Sequence, residues 1–236
     1  MGKNNYSNFT VILPTLNEER SIGKLMEIIA RSYEGIKILV VDDNSDDGTE
    51  EVVNRAIRRK MNVSLLVPLS KGRLGLTGSV IKGIERSRTE FVIIMDADLQ
   101  HNPRYIGEIA AALNSGADVA IAVRENVEGW VLYRRIISRM LIIAGNIVLY
   151  IRKCQGSADI LSGFFGMRRL RFMDVYRKNS HRFVKGGYKI LFDFLKCTRK
   201  GSISVHEVGY TFDSRKYGAS KAGMKQGLLL LKSFLS

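Results

Sequence analysis

Phe91-Val92-Ile93-Ile94-Met95-Asp96-Ala97-Asp98-Leu99-Gln100 is the stretch on which the fold turns. Its first five residues are uninterruptedly apolar and rich in Ile, the pattern of a strand covered on both faces. Two acids follow at once, so a buried strand delivers carboxylates to its own carboxyl end. Working outward, nearly continuous apolar runs rich in Val and Ile occur at 9–13, 36–41, 63–67 and 117–123, with helical patterns between them at 21–31, 49–60, 76–86 and 103–113. The last helix has clear boundaries: Asn102 suits the N-cap, Pro103 the first helical position, and Gly116 a left-handed end. The order β-α-β-α-β-α-β-α-β predicts an α/β fold, a Rossmann-like, mostly parallel sheet with helices on both faces. In such a sheet ligands gather at the carboxyl ends of the strands.

A second acid cluster, Asp42-Asp43-Asn44-Ser45-Asp46-Asp47-Gly48-Thr49, ends the run at 36–41. On its own an Asp-x-Asp pair is most simply a solvated turn. Here both clusters sit where a doubly wound sheet opens its crevice, and Asp96 and Asp98 repel each other when ionised, which calls for a nearby cation. Asp96, Asp98 and Gln100 supply the oxygen donors that a hard divalent ion prefers, with a ligand diphosphate to complete the shell. Such an ion offsets charge on a departing nucleotide diphosphate. The first strand turn, Leu13-Pro14-Thr15-Leu16-Asn17-Glu18-Glu19, is not a Gly-x-Gly-x-x-Gly cradle, and Gly72, Gly75 and Gly78 have the wrong spacing, so dinucleotide binding is excluded.

The 236 residues, 45% hydrophobic and 25% charged, suit one globular domain with a small C-terminal appendage. Cys154 and Cys197 have neither the number nor the spacing of a disulfide framework or a zinc site. The polar start Met-Gly-Lys-Asn-Asn-Tyr reads as lacking a secretory signal. Net charge is +14 and unevenly spread: residues 1–123 carry −1 and residues 124–236 carry +15. A basic half attracts nucleic acid, anionic headgroups or a phosphorylated substrate alike, and a plainly solvated basic face is the simplest alternative. Residues 130–152 form a long apolar helix pattern interrupted by Arg134, Arg135 and Arg139, a poor bilayer span. It suits an interfacial helix or a core helix with arginines at its wet end equally well. The tail, 224–236, is apolar between lysines and too short to span; it suits a surface helix or the start of a membrane segment.

Pro14-Thr15-Leu16-Asn17-Glu18, the acid cluster at 42–49 and Asp96-Ala97-Asp98-Leu99-Gln100-His101, in that order, resemble glycosyltransferase family 2, inverting enzymes with a GT-A fold. Ser162-Gly163-Phe164-Phe165 and Phe212-Asp213-Ser214-Arg215-Lys216-Tyr217-Gly218-Ala219-Ser220-Lys221 narrow the resemblance to its dolichol-phosphate mannose synthase branch. The resemblance implies a catalytic domain over 1–221, a tail helix over 222–236 with possible membrane contact, and C-terminal amphipathic helices at a membrane interface. It implies that Pro14, Leu16, Glu18, Val41 and Asp43 line the nucleotide pocket and that Asp96 and Ala97 meet the donor. Asp98 and Gln100, with Asp96, would hold Mg2+ or Mn2+. Lys189, Arg215 and Lys221 would meet donor phosphates or the reaction centre, with Asp96, Asp98 and Arg215 as the catalytic set. Arg124, Arg134 and Ser138 would contact the acceptor phosphate. Leu16 stands where the family often has an aromatic residue.

The activity so implied is transfer of mannose from GDP-mannose to dolichol or another polyprenyl phosphate, with inversion, at the cytoplasmic face of a membrane. A phosphate monoester, with a second pKa near 6, already carries a nucleophilic oxyanion, so no general base is required. Asp159 and Asp193 are accordingly read as structural or orienting. The rival within the class is a hexose transferase using a UDP-sugar; a processive polysaccharide synthase is disfavoured because Gln-x-x-Arg-Trp is absent. A nucleic-acid-binding module would explain the charge, but no interleaved aromatic and basic motif accompanies it, and no nucleic-acid partner is expected.

Overall fold

The computed structural model describes residues 5–69, 72–184, 186–187, 189–214, 229–230 and 232–234. The elements run β1 (Phe9–Thr15), α1 (Glu19–Ser32), β2 (Lys37–Asp42), α2 (Thr49–Arg58), β3 (Val63–Leu66), α3 (Gly75–Arg86), β4 (Phe91–Ile94) and α4 (Ile106–Asn114). After these come β5 (Val119–Val127), α5 (Leu132–Ile151), β6 (Phe165–Arg168), α6 (Arg169–Asn179), α7 (Ile190–Leu195) and β7 (Val205–Phe212). All five expected strands form, and one seven-stranded sheet results, in the order β3-β2-β1-β4-β6-β5-β7. β1 pairs in parallel with β2 and β4, and β5 with β7. β6 runs antiparallel between β4 and β5. This is a GT-A-like sheet, mostly parallel with one reversed strand.

That reversal matters for position. An antiparallel strand brings its entry, not its exit, to the end where the parallel strands finish, so residues just before Phe165 join Asp96 and Asp98 there. Neither β6, four residues of mixed character, nor β7 was expected from the sequence. Two apolar layers sandwich the sheet, one including Phe9, Leu25, Ile93 and Ile109, the other Ile12, Val80, Phe165 and Phe192. Gly83 lets α3 lie flat on the second face: a Cβ there would stand 2.6 Å from Ile12 Cγ2. Asn102 accepts from the Arg104 amide at 3.1 Å, opening a 3-10 turn (Pro103–Tyr105) ahead of α4. Gly116 ends that helix region with φ of 104°.

α5 departs from core-helix behaviour. Of its 20 residues, Gly145 and Leu149 are buried, while Leu132, Tyr133, Ile136, Met140, Ile143, Ile147, Tyr150 and Ile151 are exposed. No helix among the described residues is long and apolar enough to cross a membrane. The chain runs out along α5 and returns through residues 152–164. Asn146 Nδ2 donates to the Ser157 carbonyl of the return at 2.9 Å, and the bare Cα of Gly145 admits the Ile160 side chain. The expected boundary at 221/222 lies outside the described residues. Of the tail, Leu230, Ser233 and Phe234 are buried, with the Phe234 ring 4.8 Å from that of Phe192. Lys196 Nζ, itself paired with Asp193 at 2.8 Å, donates to the Ser233 carbonyl at 3.0 Å. These tail residues pack in the core instead of presenting an apolar surface, because Leu230 and Phe234 complete the layer over α7.

Candidate functional site

The strand ends are stapled before they are chemical. Asp42, fully buried, accepts from the Thr15 hydroxyl at 2.7 Å and from the Ser45 amide and hydroxyl at 2.8 and 2.6 Å, tying β1 to the turn after β2. Asp43 accepts from the amides of Leu74 at 2.7 Å and Gly75 at 2.9 Å, so its carboxylate fixes the start of α3, where unpaired N–H groups favour an anion. Past β4, Leu99 adopts a left-handed φ of 62° and the Gln100 amide donates to Asp98 Oδ1 at 3.1 Å. Gln100 then clasps the end of β7: Asp213 N donates to its carbonyl at 2.9 Å and its Nε2 donates to the Asp213 carbonyl at 3.2 Å. The acid loop is thereby held on both sides.

A cavity of about 460 Å³ opens over this loop. It is lined on one side by Pro14, Leu16, Glu18 and Asp43, on its floor by Asp96, Ala97, Asp98 and Gln100, and on the far side by Arg124, Arg134, Ser138 and Lys189. Twelve residues singled out from the sequence thus meet in one place. Val41 does not line the cavity: it is fully buried with Ile12 and Val80 beneath α3. In β2, alternation sends neighbouring side chains to opposite faces, and that of Val41 falls on the α3 side. Arg215 and Lys221 lie outside the described residues.

The far side is cationic and aromatic. Arg124 leaves β5 and donates from Nε and Nη2 to Asp159 Oδ2 and Oδ1 at 2.6 and 2.9 Å, a bidentate pair with both side chains largely buried. Burial opposes its charge, but the hydrogen bonds and field of Asp159 outweigh that and hold the guanidinium above its ordinary pKa. Trp130 presents its ring to two cations, Arg134 at 4.3 Å and Arg124 at 5.5 Å from the centroid. Lys189 Nζ donates to the Leu161 carbonyl at 2.6 Å; burial first, and Arg124 second, push its pKa down to about 8. Ile137 and Leu141 of α5 continue this wall in apolar character.

Among the described residues no three His, Cys, Asp or Glu side chains converge as a metal cluster. Asp96 and Asp98 are nonetheless two carboxylates on one wall beside the Gln100 amide, a donor set that fits a hard divalent ion whose remaining ligands are substrate oxygens. Sequence reading gave no role to His101, Trp130, Gly163 or Phe212, all of which line the cavity. The available signals were adjacency of His101 to the acid motif and of the single Trp130 to Arg134.

The sequence pattern described as Glycosyl transferase family 2 matches residues 10–177, the β1–α6 portion that builds most of this cavity. The chain belongs to glycosyl transferase family 2. Similar family-2 relatives include the dolichol-phosphate mannosyltransferase of Pyrococcus furiosus, 35% identical over 219 residues, covering 90% of this chain and 58% of that protein. The protein of the same name from Mycosarcoma maydis is 31% identical over 90% of this chain and 72% of its own. The chain therefore spans little more than half the length of the archaeal relative. Among solved structures, glucosyl-3-phosphoglycerate synthase from Mycobacterium tuberculosis superposes with a TM-score of 0.64 at 20% identity, over 94% of this chain and 76% of that one. That structure holds Mn2+, UDP and glucosyl-3-phosphoglycerate. At that identity the likeness shows the fold alone.

Proposed function

We propose that this chain transfers mannose from GDP-mannose to dolichol phosphate or another polyprenyl phosphate, inverting the anomeric centre. The observation that carries the reading is the one cavity shared by the acid loop, by Arg124 of β5 and by Arg134 and Ser138 of α5, a helix whose outer face is apolar and exposed. The names of the relatives from Pyrococcus furiosus and Mycosarcoma maydis support mannose as the sugar and dolichol phosphate as the acceptor.

In this reading Pro14, Leu16 and Glu18 border the nucleotide, and Asp96 and Ala97 meet the sugar diphosphate. Asp98 and Gln100, with Asp96, would hold Mg2+ or Mn2+, which when bound offsets charge on the departing diphosphate. Lys189, together with Arg215 and Lys221, is assigned to the donor phosphates. Asp43, whose carboxylate already holds the Leu74 and Gly75 amides, shapes the nucleotide end by anchoring α3. Arg124 and Arg134 bring the acceptor phosphate to the donor, overcoming the repulsion of two anions. An acceptor oxygen forms the new bond to the anomeric carbon as the bond to the GDP oxygen breaks. The monoester supplies its own oxyanion, so no side chain need take a proton. The exposed isoleucines of α5 lie against the bilayer that holds the prenyl chain, making the chain a peripheral membrane protein.

A donor panel with purified protein, Mn2+ and a short-chain polyprenyl phosphate tests this. Transfer from GDP-mannose is expected, and transfer from UDP-sugars alone would overturn the mannose assignment.

A further inference from the structure

Beneath the acid loop lies a chain of hydrogen bonds to which the reading above gives no part. The Tyr210 hydroxyl in β7 is 2.8 Å from His101 Nδ1, and His101 Nε2 is 3.2 Å from Asp96 Oδ2. Tyr210 is 1% and His101 2% exposed, and the imidazole is enclosed by the rings of Phe164 at 5.3 Å and Phe212 at 5.1 Å. A carboxylate only accepts, so Nε2 must carry the proton of that bond; in the neutral ring Nδ1 then accepts from the tyrosine. Burial holds the Tyr210 hydroxyl above its ordinary pKa, which keeps it a donor. On another side of Asp96, Gly163 provides only a backbone wall: a Cβ there would stand 2.9 Å from Oδ2. Asp96 is 38% exposed while its histidine partner is sealed, so one end of the chain faces the cavity and the other is fixed in the core.

We propose that His101 is a positioning residue for glycosyl transfer: its Nε2–H, in a tautomer set by the Tyr210 hydroxyl, fixes the Asp96 carboxylate in the orientation that meets the donor. The geometry is that of a carboxylate held by a histidine whose far nitrogen is itself held, the outer-shell arrangement through which a protein aims a polar ligand. The inference rests on the assignment of Asp96 to the donor side. In this assignment His101 acts through Asp96 and not on either substrate.

Three substitutions separate aim from packing. His101→Phe keeps an aromatic ring in the aromatic box and loses the donor; His101→Gln returns an N–H near the Nε2 position; Tyr210→Phe removes only the hydroxyl. With GDP-mannose and a short-chain polyprenyl phosphate, His101→Phe is expected to lower kcat about 10- to 100-fold while donor KM moves much less. His101→Gln should recover a substantial part of that loss, and Tyr210→Phe should lose less than His101→Phe. Independently of turnover, long-range 15N NMR of the imidazole should show a protonated Nε2 and a bare Nδ1 in the wild type, and a mixed pattern in Tyr210→Phe. A wild-type kcat in His101→Phe, a His101→Gln as impaired as His101→Phe, or a protonated Nδ1 with a bare Nε2 in the wild type would each overturn the proposal. Asp96→Asn keeps the two readings apart. Full activity in that variant removes Asp96 from the donor site altogether, whereas an inactive Asp96→Asn beside a fully active His101→Phe removes only the role of His101.

Discussion

The two walls of the cavity are made differently. The acid wall is mostly backbone-held: Asp43, Asp98 and Gln100 bond to main-chain groups, Asp42 does so behind them, and the loop is clasped to Asp213, while Asp96 is held by the His101 side chain. The arginines of the cationic wall are held by side chains, Arg124 by Asp159 and Arg134 by Trp130, and the wall is carried into solvent by an apolar helix. Geometry fixed by backbone suits a rigid, polar donor. A surface of arginines and isoleucines suits a partner that arrives with a charged head and a greasy chain.

The contrast can be broken most sharply at Asp98. Asp98→Ala should cost turnover about 10²- to 10³-fold across a manganese titration while thermal stability changes little, and unchanged turnover would remove Asp98 from the site. Next comes Asp159→Ala, which strands the Arg124 guanidinium in a largely buried position. A loss of about 3–5 kcal/mol on chemical denaturation is expected, and a loss below 1 kcal/mol would show that the pair is not structural. Arg134→Gln should raise acceptor KM about tenfold, the loss of roughly 1.4 kcal/mol of phosphate binding, and leave donor KM unchanged; an equal effect on both would merge the two walls.

Lys189 gives a pH signature. Its pKa is lowered to about 8, so the free enzyme loses this positive charge as pH rises through 8, and kcat/KM for the donor should fall there. Lysine bound to a diphosphate is driven back toward its ordinary pKa, so kcat should hold to higher pH. Lys189→Met should flatten the alkaline limb of kcat/KM. The smallest effect is expected from α5: Ile143→Asp with Ile147→Asp should weaken liposome flotation several-fold, and charge removal at Arg135 and Arg139 should make the residual binding less salt-sensitive. Flotation unaltered by either change would return α5 to the role of an ordinary exposed helix.

The first half of the fold was legible because β1, β2 and β4 are buried almost throughout and therefore read as nearly continuous apolar runs ending in turn chemistry, with the edge strand β3 following the same pattern more weakly. β6 was not, since Phe165-Gly166-Met167-Arg168 is short and takes its place only through pairing with β4 and β5, a tertiary fact. At the site, motif order brought twelve residues to the cavity, but it placed Val41 on the wrong side of the sheet. It also could not show that the oxygens of Asp43 are engaged by α3. His101 was in plain sight beside Gln100, yet what makes it noteworthy is Tyr210, more than a hundred residues away in sequence. The apolar pattern of α5 fitted a core and an interface equally, and only the packing around it showed which side chains remain outside.

Trp130 and Gly163 both line the cavity, and the outward run along α5 and its return through Ser157 and Ile160 begin and end between them. Both ends of that excursion are anchored to a frame built by other strands. It is an outrigger with its stays inboard: Asp159 on the return braces Arg124 and the Leu161 carbonyl braces Lys189, so a change of sequence there shifts two cations that the sheet itself does not hold.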